Sequence, residues 1–457
     1  MLSLSGPWPH GSGGRMVIPI RVSYAQAAFV FICVFALSLV FILSADTKVN
    51  WDEAVYIGIG KHIASGGEYG LFEDFRPFAL SLVLAPFVLL GVDALIAAKL
   101  IAIAFSTATL ILTFLLARRL ADDRVGFFAV LLVAFSTVFV VKSLRMMTEI
   151  PSAFFILLSV YAFVMRKPIA SGVFSLVSFA FRYPSGLILP SVMLIAYLRE
   201  GWRSAARVAF GFLIAFVPLA IAYALFLEDP VGSFLAAASH QGNAFFAAPD
   251  VLVSLLFYPI ALLAMQPLFA AAFVARRPRA RILLIPIVVF TAYFTLITNK
   301  QDRFILVIVP LVSILAACGL ASIKRTWIPL TAIGAVALVL VGPVITSELA
   351  ASETPVQSFF RTVELSGPVG TSDPVIVAYR DVSFVPIYFT YRHIERDMEG
   401  LDEVLFLRQA YGCRVFGAEC ESYVDAAYDS LTRTHTVVDS VEYIGLEYVL
   451  FARDQGP

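Results

Sequence analysis

The sequence contains few charged residues for its length. Of 457 residues, 14% are Asp, Glu, Lys or Arg and 60% are hydrophobic, whereas soluble globular domains contain about 25% and about 45–50% of these classes. The remaining polar surface is too small to cover a soluble fold of this size. The composition therefore excludes collagen, coiled coils, disordered tails and nucleic-acid-binding modules, and it predicts an α-helical polytopic membrane protein.

Cysteine is scarce as well, with four residues in the chain. Cys33 and Cys318 lie in apolar segments, where a thiol behaves as a small hydrophobic group. Cys413 and Cys420 lie near the C-terminus at a spacing that fits a loop. A disulfide between them would require the oxidising side of a membrane, and the sequence leaves open whether it forms.

The net charge of zero conceals two differently charged parts. Residues 1–349 carry 25 Lys/Arg and 16 Asp/Glu, a net charge of +9, and residues 350–457 carry 8 and 17, a net charge of −9. We interpret residues 1–24 as a cytoplasmic N-terminal segment, 25–349 as a transmembrane domain and 350–457 as a soluble domain. No cleavage site follows the apolar run at 25–43, which we therefore interpret as a retained first span and not as a signal peptide.

Short β-type runs alternate with helix-like stretches in the last hundred residues, which predicts a small α/β module. The strands are expected at residues 375–379, 385–391 and 447–451. The helices are expected at residues 401–411 and 420–432.

Long apolar runs predict the membrane spans, since a spanning helix needs about 20 apolar residues. The runs lie at residues 25–43, 78–91, 94–116, 125–141, 150–165, 168–181, 185–198, 207–227, 251–274, 281–298, 304–322 and 327–346. Basic clusters between spans favour the cytoplasm. All of these clusters fall on the cytoplasmic side if one early run does not cross the membrane. We assign this role to the short segment 78–91, which contains Pro86 and follows Pro77. This predicts about eleven crossings of the cell membrane, a cytoplasmic N-terminus and an extracytoplasmic C-terminal domain.

Under this topology, 13 of the 16 acids of the membrane part lie on the outer side. The outer loops would be residues 44–77, 142–149, 182–184, 228–250 and 299–303. Long loops gathered on one face of a bundle are where binding and catalytic residues concentrate.

Two adjacent acids follow the first span. Asp52 and Glu53 come after Trp51, and an amphipathic stretch continues through Tyr56 to His62. One interpretation of these acids is a helix cap next to an interfacial tryptophan. The alternative is that one carboxylate acts as a general base on an acceptor hydroxyl.

A third acid stands alone at the outer start of an apolar helix. Glu149 follows Arg145 by one turn, and again capping is one interpretation. The other is functional, because an acid at membrane depth is costly and by default marks a functional site. The topology places Glu149 on the same side of the membrane as Asp52, so both acids are candidates for one cavity.

Basic residues occupy the points where apolar runs meet the outer loops. Arg76, Arg182, Lys300 and Arg303 are candidates for binding a donor phosphate by charge-assisted hydrogen bonds, although snorkelling to lipid headgroups explains any one of them singly. Weaker candidates for contacts with a sugar or an acceptor are Trp51, Tyr56, His62, Tyr183 and His240.

The order of these motifs resembles the C-type glycosyltransferases, which share the GT-C fold. The shared elements are Asp-Glu after the first span, Arg-Pro closing the first outer loop, a Thr-Glu-Ile-Pro corner, an Arg-Tyr-Pro corner and a late Asp-Arg-Phe. Within that fold, the chain is most similar to the group of protein O-mannosyltransferases and aminoarabinose lipid A transferases. The likeness covers residues 25–325.

The resemblance implies transfer of a sugar from a polyprenyl-phosphate-linked donor to an extracytoplasmic acceptor, with inversion. It assigns Asp52 and Glu53 to the acceptor and Glu149 to the second-loop acid. Arg303 would lie near the donor phosphate, with Lys300 a looser match. Arg76 stands where the lipid A transferases have a Lys followed by two prolines. Such an enzyme would have the lipid-linked sugar, an acceptor and membrane lipids as partners, and no nucleic acid.

Some family features are missing from the sequence. No Asp-X-Asp motif appears near Glu149, so we expect a reaction that requires no metal or other cofactor. The C-terminal domain has no counterpart that we can name. Two other functions remain open: a transporter or lipid flippase, although the spans have almost no internal charges and no internal repeat is found, and a non-catalytic scaffold with the same fold.

Overall fold

A computed structural model describes residues 23–43, 48–227, 229, 231–235, 237, 251–297, 300–350, 353–387, 400–408 and 418–453. Several predicted features lie outside these residues: almost all of the N-terminal segment, most of the outer loop 228–250 with His240, residues 388–391 of the strand 385–391, and Cys413.

The first half of the chain is a series of helices. Their bounds are α1 Tyr24–Leu43, α2 Trp51–Ser65, α3 Ala79–Leu89, α4 Ala94–Leu120, α5 Asp123–Ala134, α6 Thr137–Ser143, α7 Glu149–Val164, α8 Pro168–Phe181, α9 Ile188–Glu200 and α10 Trp202–Phe226. A 3₁₀ turn at Tyr183–Leu187 joins α8 to α9. Most of these bounds agree with the predicted runs to within a few residues, because long apolar segments that cross a membrane must be helical to satisfy their backbone.

The second half of the membrane part mixes α-helices with 3₁₀ segments. The α-helices are α11 Val251–Met265, α12 Leu284–Leu296, α13 Val309–Leu320, α14 Trp327–Val336 and α15 Gly342–Leu349. The 3₁₀ segments are Pro267–Val274, Pro278–Leu283 and Asp302–Ile308, and a π-helical turn at Ala337–Val341 joins α14 to α15.

Among the described residues, six helical segments are long and apolar enough to cross a membrane, or eight if each of two bent pairs is one span. The chain is therefore a multi-pass membrane protein. The count of eleven crossings and the direction of the termini stay predictions.

Two of the predicted spans are not straight helices, because the chain bends inside them. The run 125–141 turns by 71° between α5 and α6, and the run 251–274 turns by 108° after α11. Pro267 stops the second helix, since it has no N–H to donate. The two bends meet: the buried Gln266 donates from Nε2 to the carbonyl of Phe135 at 3.2 Å. This bond satisfies a backbone group that the break in the first helix exposes.

A six-stranded sheet lies mainly in the C-terminal region, with strand order β1-β3-β2-β4-β6-β5. Its strands are β1 Gly70–Leu71, β2 Val369–Thr371, β3 Ser383–Pro386, β4 Glu403–Leu407, β5 His435–Tyr443 and β6 Leu446–Arg453. Helices α16 Pro355–Thr362 and α17 Ala418–Thr434 accompany it. The small α/β module is thus confirmed, and its edge strand β1 comes from the first outer loop and pairs in parallel with β3.

Two predicted elements in this module are wrong. The stretch 401–411 was expected to be helical but contains β4, whose buried side chains reflect a strand covered on both faces. The run 375–379 was expected to be a strand but forms the 3₁₀ turn Pro374–Ala378. The side chain of Asp373 starts that turn by accepting a bond from the amide of Val375 at 2.9 Å. The predicted strand 447–451 and helix 420–432 agree with β6 and α17.

Candidate active site

Helix α2 begins at the junction between the first span and the first outer loop, and Glu53 fixes its start. Oε2 of Glu53 accepts a hydrogen bond from the amide of Asn50 at 3.3 Å, and Oε1 accepts one from the amide of Met146 at 2.9 Å. Glu53 is fully buried, and this burial raises the pKa of its carboxyl despite nearby Arg145 and Lys99. Both of its oxygens therefore hold backbone groups next to Asp52.

Asp52 lies between two guanidinium groups. Nη1 of Arg76 donates to Oδ1 at 2.7 Å, and Nη1 of Arg303 donates to Oδ2 at 2.6 Å. Burial alone would raise the pKa of the Asp52 carboxyl, but the charges of Arg303 and Arg76 outweigh it and hold that pKa well below its usual range. The carboxylate is thus ionised and oriented from both sides.

A second acid of the first outer loop holds Arg76. Nε of Arg76 donates to Oε2 of the buried Glu73 at 2.6 Å, and the guanidinium lies 5.6 Å from the ring centroid of Tyr56. Arg76 therefore links two carboxylates over an aromatic ring. Glu73 is not among the residues predicted from the sequence, although its three-residue spacing from Arg76 is a signal for such a pair.

Glu149 is the first residue of α7 and is 1% exposed. Its Oε1 accepts a hydrogen bond from Nη1 of Arg182 at 2.8 Å and lies 3.7 Å from Nε of Arg303. Its Oε2 has no hydrogen-bond partner within the described residues. A buried carboxylate oxygen of this kind is costly unless a donor reaches it, so it is suited to bind a substrate hydroxyl.

Arg303 joins the two acids that the sequence predicted to converge. It contacts Asp52 through Nη1 and Glu149 through Nε, and Oε1 of Gln301 fixes its Nε at 2.6 Å. We call the resulting set of three acids and three arginines the carboxylate–arginine cluster. Its members are Glu73, Arg76, Asp52, Arg303, Glu149 and Arg182.

Lys142 on α6 is a further cation near the cluster that the sequence analysis did not single out. It interacts electrostatically with Glu149, Arg303 and Asp52. Its signal was the same as that of the predicted cations, because it ends an apolar run at the predicted outer face.

Tyr183 and Lys300, two further predicted residues, make their hydrogen bonds outside the carboxylate–arginine cluster. Tyr183 follows Arg182, and its hydroxyl lies 3.1 Å from that of Tyr223. Lys300 is directed at the C-terminal end of α12, where Nζ donates to the carbonyls of Phe294 and Thr295. Lys300 thus caps the end of α12 in this structure, and its contact with a donor phosphate stays a prediction.

Trp51 and His62, which were predicted to contact a sugar or an acceptor, lie in different surroundings at the two ends of α2. Trp51 packs against the hydrophobic cluster that α2 shares with the C-terminal sheet. His62 lies in the last turn of α2, whereas Asp52 lies in the first. The ring of His62 is 5.0 Å from that of Phe72. It lines a separate cavity of about 590 Å³ together with Asp74 and Asp229.

An apolar groove is lined in part by Tyr183, the residue that follows Arg182. It has a volume of about 340 Å³. Its lining includes Phe179, Tyr183, Pro184, Phe212, Phe234 and Tyr293. A groove of this composition, with a lining residue that directly follows the buried Arg182 in the chain, suits a ligand with an apolar chain and an anionic head.

Over the part of the chain that the structure describes, no three His, Cys, Asp or Glu side chains come close enough together to hold a metal ion. The expectation of a metal-independent reaction stays a prediction.

Part of the chain matches a known family model. Residues 55–182 match the sequence profile of the family described as "Dolichyl-phosphate-mannose-protein mannosyltransferase". The matched stretch contains Arg76, Glu149 and Arg182 and begins just after Asp52. It confirms the predicted resemblance to the protein O-mannosyltransferases. A comparison with curated protein sequences finds no match.

Solved structures show which fold the chain adopts. ArnT from Cupriavidus metallidurans bound to undecaprenyl phosphate matches with a TM-score of 0.64 and 14% identity, covering 93% of this chain and 98% of that one. The archaeal oligosaccharyltransferase AglB from Archaeoglobus fulgidus matches with a TM-score of 0.54 and 12% identity, over 94% and 74% of the two chains.

A third similar structure is the arabinofuranosyltransferase AftD from Mycobacteria. It matches with a TM-score of 0.55 and 12% identity, over 93% of this chain and 40% of that one. All three are membrane glycosyltransferases of the GT-C fold. The chain therefore has the GT-C fold, and the predicted fold class is confirmed.

Proposed function

We propose that this protein is a membrane glycosyltransferase that moves a hexose or a pentose from a polyprenyl-phosphate-linked donor to an extracytoplasmic acceptor, with inversion at the anomeric carbon. The acceptor would be a hydroxyl or amine of a protein, lipid or glycan. The observation that carries the proposal is the bridging of Asp52 and Glu149 by Arg303. Two acids and the cations needed for a phosphate leaving group thus lie in one buried cluster.

The three arginines of the cluster supply the donor-phosphate site in this proposal. Guanidinium groups match phosphate oxygens in geometry and stay protonated at any physiological pH. Their charge stabilises the negative charge that builds up on the phosphate as it leaves. Polyprenyl phosphate is then released without a general acid.

Asp52 acts as the base in the proposed step. The acceptor oxygen attacks the anomeric carbon from the side opposite the phosphate while its proton passes to the Asp52 carboxylate. The bond from the anomeric carbon to the phosphate oxygen breaks, and its electron pair leaves with polyprenyl phosphate. A transition state with oxocarbenium character, as in glycoside hydrolysis, is expected.

The low pKa of the Asp52 carboxyl bears on when it can accept a proton. Arg76 and Arg303 hold it low, so Asp52 is a weak base while both arginines bind it alone. A donor phosphate that accepts hydrogen bonds from the same two guanidinium groups shares their charge. The pKa of Asp52 then rises towards its usual range, which couples donor binding to base strength.

The apolar groove supplies a place for the lipid chain. Tyr183 lines the groove and directly follows the cluster residue Arg182. A phosphate held by the cluster would thus have its polyprenyl chain enter the groove. The free Oε2 of Glu149 is available to a sugar hydroxyl between them.

The charge distribution favours this function over a transporter or flippase. The acids of the cluster lie at helix starts and in the first outer loop, whereas transport pathways place ionisable residues near the membrane midplane. A non-catalytic scaffold would have no need for the ionised, doubly bonded carboxylate of Asp52.

Labelled donors test the proposal. Membranes that contain the protein are incubated with radiolabelled polyprenyl-phosphate hexoses and pentoses, and label is traced into protein, lipid and glycan fractions. We expect one acceptor class to gain label with the wild type and not with Asp52→Asn. Asp439→Asn, an exposed carboxylate on β5, is the matched control and should retain activity. Equal labelling by the wild type and Asp52→Asn, or no labelling with any donor, rejects the proposal.

A further inference from the structure

A buried lysine outside the carboxylate–arginine cluster connects α2 to the C-terminal sheet. The Lys61 side chain is 4% exposed. Its Nζ donates to the carbonyls of Val377 at 2.9 Å and Arg380 at 3.0 Å, and reaches that of Ala378 at 3.5 Å. It also pairs with Oδ1 of Asp381 at 2.7 Å, a side chain that is 70% exposed.

The carbonyls that Lys61 binds are those at the end of a helical turn. Val377 and Ala378 are the last residues of the 3₁₀ turn Pro374–Ala378, whose terminal carbonyls have no partners within the turn. A cation is favourable at this negative pole. The hydrogen bonds from the ammonium group of Lys61 therefore hold the turn and α2 together.

The backbone around Lys61 is packed closely enough to require glycine. A Cβ on Gly58 would lie 2.8 Å from Cγ1 of Val377, and a Cβ on Gly70 would lie 2.5 Å from the carbonyl oxygen of Gly58. Gly70 has φ of +101° and donates its amide to the carbonyl of Val382 at 2.8 Å. Helix α2, strand β1 and the C-terminal domain thus pack closely at Gly58 and Gly70, where a side chain would not fit.

The two faces of α2 pack against different parts of the protein. Val55 and Ile59 lie in a hydrophobic cluster with Val377 and other side chains of the C-terminal domain. Tyr56 and Ile57 lie in another cluster with side chains of α3 and α4. Every residue from 53 to 61 is buried. Helix α2 is therefore clamped between the membrane helices and the sheet.

Asp52 is carried by this clamped helix. It lies nine residues before Lys61, about 14 Å along the helix axis, and its carboxylate must meet Arg76 and Arg303 at once. A small rotation or shift of α2 would break one of these contacts. The position of the carboxylate thus depends on what holds the far end of the helix.

We propose that the C-terminal domain positions the catalytic carboxylate, and that Lys61 is the positioning residue through which it acts. The inference rests on the proposed function, since it assigns Asp52 its role. The sheet domain is then part of the active-site framework. Its structural contribution is to keep α2 at the angle at which Asp52 meets both arginines.

Lys61→Met tests this, because methionine keeps the apolar stem and removes the donors. For the purified, full-length protein we expect kcat to fall by about 10- to 100-fold, as misplacement of about 1 Å does, while KM for the lipid donor stays within about two-fold. Hydrogen exchange of residues 51–57 should become faster. Lys324→Met is the control: this lysine is exposed and lies outside α2 and the sheet domain, so kcat and exchange should stay near those of the wild type.

A second variant covers the outcome in which Lys61→Met does not fold. Gly58→Ala inserts a methyl group against Val377 and should lower kcat with little change in KM. Adding Val377→Ala removes the opposing methyl groups and should restore part of the loss. A general loss of stability would not show this rescue.

Three results overturn the inference. One is a folded Lys61→Met protein with unchanged kcat and unchanged exchange. Another is a loss confined to KM. The third, where Lys61→Met does not fold, is a Gly58→Ala protein with wild-type kcat. If the wild type transfers no sugar, the proposed function fails, while the exchange comparison of Lys61→Met with Lys324→Met still decides whether the sheet domain holds α2.

Discussion

Arg303 donates a hydrogen bond of 2.6 Å to Asp52, a residue 251 positions earlier in the chain. The contact joins the start of α2 to the start of the 3₁₀ segment Asp302–Ile308. The same guanidinium lies 3.7 Å from Glu149. Three distant points of the sequence are thus held by one side chain, and that side chain is the first to test.

Arg303→Lys should reduce kcat/KM by about 100-fold or more, since lysine is a single point charge that cannot reach both acids at once. Initial rates with varied donor concentration measure this. Arg277→Lys is the matched control, because Arg277 pairs with Asp122 at an exposed site. A variant Arg303→Lys with wild-type kcat/KM would show that the bridge has no catalytic role.

Glu149→Gln should lower kcat while leaving the fold intact. Glutamine keeps the size and one hydrogen-bonding oxygen but loses the charge that balances Arg182 and Arg303. A loss of about 10- to 1,000-fold is expected for a positioned group of this kind.

Ser152→Ala is the control for Glu149→Gln. Ser152 lies one turn along α7, and its buried Oγ has no hydrogen-bond partner in the described residues, so its removal should be nearly neutral. Steady-state kinetics of the two variants make the comparison. Equal kcat in both variants would remove Glu149 from the mechanism.

The contribution of Asp52 to stability should depend on pH in a defined direction. Its pKa is lowered in the folded protein, so the stabilisation is complete above the unfolded value of about 3.9 and is lost as the pH falls below it. The difference in melting temperature between the wild type and Asp52→Asn should therefore be constant from pH 8 to about pH 5 and shrink below about pH 4. Thermal unfolding in detergent measures this. A difference that grows as the pH falls would contradict the assignment.

The apolar groove should be tested with donors of different chain length. Gly186 lines it, and a Cβ there would lie 2.9 Å from Cδ2 of Phe179. Gly186→Leu should raise KM about ten-fold for a long polyprenyl donor, the cost of displacing about two methylene groups, and leave a short-chain donor unaffected.

A leucine elsewhere in the membrane part serves as the control for the groove. Gly334 on α14 has open space around it, so Gly334→Leu should leave KM unchanged for both donors. Equal effects of Gly186→Leu on long and short donors would place the lipid chain elsewhere.

The sequence was sufficient to predict the helical membrane part and that Asp52 and Glu149 lie at the same end of the bundle, because apolar runs and single charges at their ends are local signals. The bends at Gln266 and after α5 were not predicted. Pro267 is a local signal for the second bend, but the hydrogen bond that joins the two bends links segments 131 residues apart, and no local pattern reveals it.

The same reason explains the partial prediction of the site and the soluble domain. Arg76, Arg182 and Arg303 could be selected as cations at the outer ends of apolar runs, but their division between Asp52 and Glu149 is set by the tertiary fold. Strand β4 resembled a helix because Val404, Leu405, Phe406 and Leu407 form an unbroken apolar run. The pairing of β1 with β3 crosses the predicted domain boundary and therefore has no sequence signature.

The most direct measurement is sugar transfer by purified protein in lipid vesicles, with release of polyprenyl phosphate and gain of sugar by the acceptor followed together. We expect the wild type to form both products in equal amounts with an inverted anomeric configuration, and Asp52→Asn to lose about 100-fold or more in kcat. An Asp52→Asn protein that transfers sugar at the wild-type rate, or a product with retained configuration, would contradict the account.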